Sequence, residues 1–188
     1  MDYKAGFIFG IIITIVIIAA LCVFIFKVSN TDGKRKTEYD ERQKLIIGEG
    51  YKIAFWTLAG LLVLVQIIET IIVNIGGGLK FSASFGIIAF AMIIISIMVF
   101  CVYCIFNGAY WGLNNNKKRY IIIIGVIGVL NLLLAFVSII RGEMIVDGVI
   151  SGSFVNLLCA ILMAVVIGAV GIKELKDKRE NSEDEGEE

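Results

Sequence analysis

The chain contains no histidine and no proline, and its cysteines are confined to Cys22, Cys101, Cys104 and Cys159. Without histidine or a second cysteine pair, Cys101 and Cys104 cannot complete a tetrahedral zinc site. They fall inside an apolar run and read as small packing residues, kept reduced on the cytoplasmic side. Without proline, sharply kinked or broken helices are not expected, which argues against transporter folds that build their sites from unwound segments. No nucleophile stands with a base, no ligand cluster suggests a metal, and no glycine-rich loop is present to hold phosphate. The sequence therefore predicts neither an enzyme nor a cofactor.

Charge is also scarce, at 18% of residues against 59% hydrophobic, and the mean hydropathy is +0.91. That balance belongs to an integral membrane protein. A crossing needs about 20 mostly apolar residues, and five stretches qualify: 5–26, 53–75, 85–106, 120–140 and 152–172. The first begins after Lys4 and reaches the small residues Ala19 and Ala20, as a signal peptide would, but it continues through LCVFIF. It reads as a retained anchor.

Lysine and arginine set the orientation, because cytoplasmic loops are enriched in them. One set of loops holds Lys27, Lys34, Arg35, Lys36, Arg42, Lys44 and Lys52, then Lys117, Lys118 and Arg119, then Lys173, Lys176, Lys178 and Arg179. The other set holds Lys4, Lys80 and Arg141. The expected fold is an all-α bundle of five transmembrane helices in the cell membrane, with the N-terminus outside and the C-terminus in the cytoplasm. Its domains are a membrane unit over 1–175, including a cytoplasmic loop over 27–52, and a tail over 176–188. That tail ends in a strongly acidic run with no apolar surface to bury, and is expected to be disordered.

The loop over 27–52 opens with the turn formers Ser29, Asn30, Asp32 and Gly33 and then takes on a helical pattern. Thr37 followed by Asp40 suggests a capping box, and Glu38 to Arg42 and Asp40 to Lys44 are acid-first pairs four apart. A short cytoplasmic helix running into the second crossing follows. Within it, Asp40-Glu41-Arg42-Gln43, a glycine-containing spacer and an aromatic-rich helix start resemble a group of small multi-pass membrane proteins of unknown function in Gram-positive bacteria. The resemblance covers about residues 39–58 and implies membrane location and no known reaction. Physically, acids at a helix start favour its dipole, while Arg42, Lys44 and the run at 34–36 suit anionic lipid. Alternatively, Asp40, Glu41, Arg42 and Gln43 dock a cytoplasmic partner, or close the inner mouth of the bundle by pairing with Lys117, Lys118 and Arg119.

Two further patterns lie within the crossings. Gln66, Glu69, Thr70 and Asn74 interrupt an aliphatic helix, and Glu69 falls about 9 Å inside its outer boundary at about 1.5 Å per residue. A charge at the bilayer centre costs on the order of 3 kcal/mol on insertion scales, so Glu69 must be protonated, hydrated or paired. Its expected partners are Asn131, Asn156, Ser96 or Ser138; a wet cavity binding a cation or a small cationic substrate is the alternative. In the last crossing, Gly152, Asn156, Ala160, Ala164 and Gly168 repeat every four residues, the pattern of a close helix contact. Shorter versions occur at Gly6 and Gly10 and at Gly125 and Gly128.

These features point to an accessory, sensory or immunity-type membrane subunit that acts through partners. The alternative is a small transporter or channel centred on Glu69. Expected partners are the lipid bilayer, a membrane or cytoplasmic protein, or a second copy of the chain, and not nucleic acid.

Overall fold

The computed structural model describes residues 13, 16, 20, 37–75 and 82–184. Four long helices carry this part of the chain: α1 (Glu41–Ile75), α2 (Phe85–Phe106), α3 (Lys117–Ile140) and α4 (Phe154–Asp184). Each contains a stretch long and apolar enough to cross a membrane. The expected first crossing, 5–26, lies outside the described residues except for Ile13, Val16 and Ala20, which are helical and exposed.

The short helix expected to run into the second crossing does so. Nothing in the sequence breaks the run, and α1 continues unbroken from Glu41 to Ile75. Its cap differs from the Thr37 box. Asp40 is the capping residue: its Oδ1 accepts from the Gln43 backbone N–H at 2.6 Å, while Gln43 Oε1 accepts from the Asp40 N–H at 3.2 Å. Thr37 lies outside the helix, because 37–40 has no regular secondary structure and Glu38 is bonded to Asn114 instead.

The fold is all-helical as expected, apart from three two-residue strands that join the helices at the end away from this cap: β1 (Ser82–Ala83), β2 (Ile145–Val146) and β3 (Val149–Ile150). Their order is β1-β3-β2, with β1 parallel to β3 and β2 antiparallel to it. Asp147 and Gly148 between β2 and β3 have φ of 53° and 77°. Two adjacent left-handed residues form the tight hairpin turn that matches strand twist, and Asp-Gly is a preferred pair for it.

The helices are arranged side by side, with α1 against α2, α2 against α4, and α4 against α3. The core lies between α2 and α4, where Ile94 and Ile105 meet Leu162, Val166, Ala169 and Val170. This placement revises the stripe expected in the last crossing. Ala160 is buried and Asn156 half-buried, but Ala164 and Gly168 are exposed and Gly152 precedes the helix. Strict four-residue spacing advances about 40° per step on a helix of 3.6 residues per turn, so the stripe winds off the contact face. The seam with α3 instead uses the weaker pattern, since a Cβ on Gly128 would stand 3.0 Å from the Met163 Cβ.

The stretch expected to be disordered from 176 is helical as far as Asp184. Pairs four residues apart bridge its turns, Lys173 to Asp177 at 2.6 Å and Lys176 to Glu180 at 3.6 Å. Each such pair contributes about 0.2–0.5 kcal/mol to a helix, and here the preceding apolar turns have already nucleated it.

Candidate functional site

Residues 37–43 form a clasp on the loop that joins α2 to α3. The loop begins where α2 ends. Gly108, with φ of 72°, turns the chain so that the Ala109 N–H donates to the Cys104 carbonyl at 2.8 Å. This left-handed ending of a helix favours glycine. It also leaves the carbonyls of Gly108 and Trp111 within reach of α1, and the Gln43 side-chain amide donates to both, at 3.2 and 3.0 Å. One side chain therefore caps α1 with its oxygen and fastens the loop with its nitrogen.

The extended residues before the cap complete the clasp. The Glu38 N–H donates to Asn114 Oδ1 at 2.9 Å, and the Leu113 N–H donates to the Glu38 carbonyl at 2.7 Å. Asn114 is buried, where an unmet polar group would cost about 1–3 kcal/mol, so this backbone pairing is structurally required. A Cβ on Gly112 would collide with Thr37 and stand 2.6 Å from the Glu38 oxygen. Beside these bonds, Trp111 packs edge-on against Tyr110 and Tyr120, with centroids 4.7 and 5.7 Å apart. Burial, followed by the neighbouring Tyr120, raises the Tyr39 hydroxyl above its usual range, and burial raises Tyr110 likewise. The clasp is thus a packed unit with an aromatic interior.

Next along the chain, α1 is keyed to α2. Gly50 is buried against Phe100 and Cys104, Tyr51 stacks on Phe100 at 4.7 Å, and the Tyr103 hydroxyl donates to Glu49 at 2.7 Å. Cys104 fills the seam at Gly50, which gives it a packing role.

The four residues singled out in sequence divide between two faces. Asp40 and the half-buried Gln43 are hydrogen-bonded within the clasp, Asp40 while itself exposed, whereas Glu41 and Arg42 make none of these bonds and are exposed together with Lys44 and Leu45. Among the described residues, no ion pair joins Asp40 or Glu41 to Lys117 or Lys118; Lys117 pairs with Glu174 of α4 at 3.1 Å. The Gln43 amide and the backbone of Glu38 and Leu113 take part in closing this end, for which charge pairing was one reading of the sequence. Sequence reasoning missed Glu38, Gly108, Gly112 and Asn114. The Asp-x-x-Gln spacing does carry the signal for the cap, but nothing in the sequence pairs Glu38 with Asn114.

The intramembrane polar residues are not brought together. Gln66, Glu69 and Thr70 are exposed on α1, and the Thr70 hydroxyl donates to the Gln66 carbonyl at 2.8 Å. Asn131 on α3 donates to the Ile127 carbonyl at 2.9 Å, and Ser96 to the Met92 carbonyl at 2.9 Å, so both satisfy their own helices. Asn156 lies in the first turn of α4, where its backbone N–H bonds the Ser153 carbonyl. Extending the antiparallel register set by the Tyr51–Phe100 stack brings Glu69 level with Ser82 in β1. By that register Glu69 lies beyond the first residue of α2, at the same end of the bundle as the small sheet.

The chain matches no protein-family model, no curated protein and no solved structure.

Proposed function

We propose that the chain is an accessory subunit of the cell membrane, of sensory or immunity type, that acts through a protein partner docked on the outward face of the clasp. In this reading it crosses five times, with 5–26 as the first crossing, the N-terminus outside and the clasp in the cytoplasm. The lysine and arginine bias supports that orientation. The carrying observation is the division of labour among residues 40–45. Asp40 and Gln43 fix the helix start to the α2–α3 loop, and this holds Glu41, Arg42, Lys44 and the 74%-exposed Leu45 in one rigid, outward array. Rigid presentation lowers the ordering cost of binding, and arginine, here Arg42, is among the residue types enriched at binding hot spots.

A small transporter centred on Glu69 is the second reading, favoured by the exposure of Gln66, Glu69 and Thr70 on one stretch of α1. The two separate on a pair of variants. The accessory reading expects Glu69→Gln to keep the cellular phenotype and Arg42→Glu with Leu45→Asp to lose it, with both proteins abundant in the membrane. The opposite pattern puts the transporter reading first.

A further inference from the structure

Where the end of α2, the start of α3 and the last turns of α4 meet, the bundle encloses a cavity of about 90 Å³. Ile105 and Val170, both buried in the core between α2 and α4, line its inner side. Gly108 and Trp111 of the α2–α3 loop line it too, and theirs are the carbonyls that the Gln43 amide holds. Charge completes the lining, with Lys117 from the first turn of α3 and Lys173 and Asp177 from α4. An apolar floor thus meets a charged rim. The larger groove of about 310 Å³ between α3 and α4, lined in part by Gly125, Gly128, Ala160 and Ala164, is apolar and suits lipid chains.

Two lysines against one aspartate leave the lining with an excess of one positive charge. Beside an apolar floor water screens that charge less than at an open surface, so the cavity draws an anion. Lys117 is paired with Glu174 at 3.1 Å and Lys173 with Asp177 at 2.6 Å. These pairs do not close the site. Partly exposed ion pairs hold weakly, and each ammonium carries three N–H donors, so an oxyanion can enter without breaking either pair. The cavity has several times the room that one water needs, enough for one small polar group.

The level of the cavity suits phosphate. The apolar stretch of α4 ends at Ile172, and that of α3 begins at Tyr120, so in a chain that crosses the bilayer the rim stands where hydrocarbon gives way to headgroups. Basic pockets between helices on the cytoplasmic side take phosphate-bearing headgroups, and lysine binds phosphate as a point charge, whether diester or free ion. We propose that this cavity holds a phosphate group, of a lipid headgroup or of a soluble phosphate compound, between the ammonium groups of Lys117 and Lys173. The headgroup source, though not the site itself, rests on the reading that these helices cross a membrane. Because Gly108 and Trp111 are also held by Gln43, the bound phosphate and the clasp share a wall.

The test uses the full chain in uncharged detergent with the exposed Trp56 changed to Phe, which leaves Trp111 as its one tryptophan. It is titrated at constant ionic strength with inorganic phosphate and, separately, with dihexanoyl phosphatidylglycerol below its micelle concentration. Binding to the folded chain is expected to raise the melting midpoint and to change Trp111 emission along the same saturating curve. A response to the lipid alone assigns the phosphate to a headgroup, and a response to inorganic phosphate assigns it to a soluble compound. Lys117→Gln with Lys173→Gln is expected to weaken binding by about tenfold or more. Lys117→Arg with Lys173→Arg keeps both charges and is expected to retain most of it, as is Lys178→Gln at an exposed position outside the cavity. No response to either ligand overturns the proposal, as does an equal response in the glutamine pair. A raised midpoint with Trp111 emission unchanged places the phosphate elsewhere and overturns it too.

Discussion

Gln43 carries two jobs in one side chain, and substitutions can separate them. Gln43→Glu keeps an oxygen to accept the Asp40 N–H but loses both donations to the Gly108 and Trp111 carbonyls. Losing hydrogen bonds to one exposed and one half-buried carbonyl costs about 0.5–1.5 kcal/mol each, although the added acid gains about 0.3–1 kcal/mol at the helix start. Thermal unfolding in detergent should show Gln43→Glu clearly weaker than Arg42→Glu, since Arg42 is exposed and makes none of these bonds. The glycines extend the same series. Gly112→Ala sets a Cβ 2.6 Å from the Glu38 oxygen, an overlap that only a backbone shift relieves, at about 1–3 kcal/mol. Gly48→Ala meets nothing within 4 Å and gains up to about 1 kcal/mol of helix propensity. Equal melting for the two alanine variants would mean that the clasp does not hold the loop.

Among the elements, the helices were legible and their contacts were not. Apolar run length alone places α2 at Phe85–Phe106 and comes within three residues of the start of α3. The hairpin between α3 and α4 was also readable, because Asp147-Gly148 between two apolar pairs is a strong turn signal, yet a pattern search for crossings passes over strands of two residues. The Ala160–Ala164 stripe misled for a geometric reason. A four-residue repeat looks continuous in sequence but drifts around the helix, so burial follows Leu162, Val166 and Ala169 instead. The expected outcome is correspondingly specific. Ala169→Leu adds bulk at a buried core position and should lower stability by about 1–3 kcal/mol, while Ala164→Leu extends into an open groove and should be tolerated. A detergent melt with the reverse ranking would mean that α4 packs through its four-residue stripe.

For the whole molecule, charge placement and helix arrangement converge on two unlike ends. One end holds the clasp, the start of α3 and the extended C-terminal turns of α4, joined by the Lys117–Glu174 pair; the other holds the small sheet and Glu69. In a cysteine-free chain, single cysteines at Arg141 should react with an impermeant thiol reagent on intact cells, while those at Lys118 should be protected until the membrane is opened. Reversed labelling would invert the orientation. The sequence singled out residues 40–43 and offered ion pairing with Lys117, Lys118 and Arg119 as one way of closing this end. It could not reveal the Glu38–Asn114 bond, because residues 76 positions apart meet only once the helices have paired.

The central claim is that this closed end presents a docking face for a protein partner. A photo-crosslinking amino acid at Leu45, in the full chain within its native membrane, tests it most directly. The account predicts a discrete protein adduct at Leu45 that disappears with Gln43→Glu, which loosens the clasp and leaves the exposed charges in place, and no comparable adduct from the same probe at Ile68 beside Glu69. An adduct confined to Ile68, or one at Leu45 unchanged by Gln43→Glu, would contradict it.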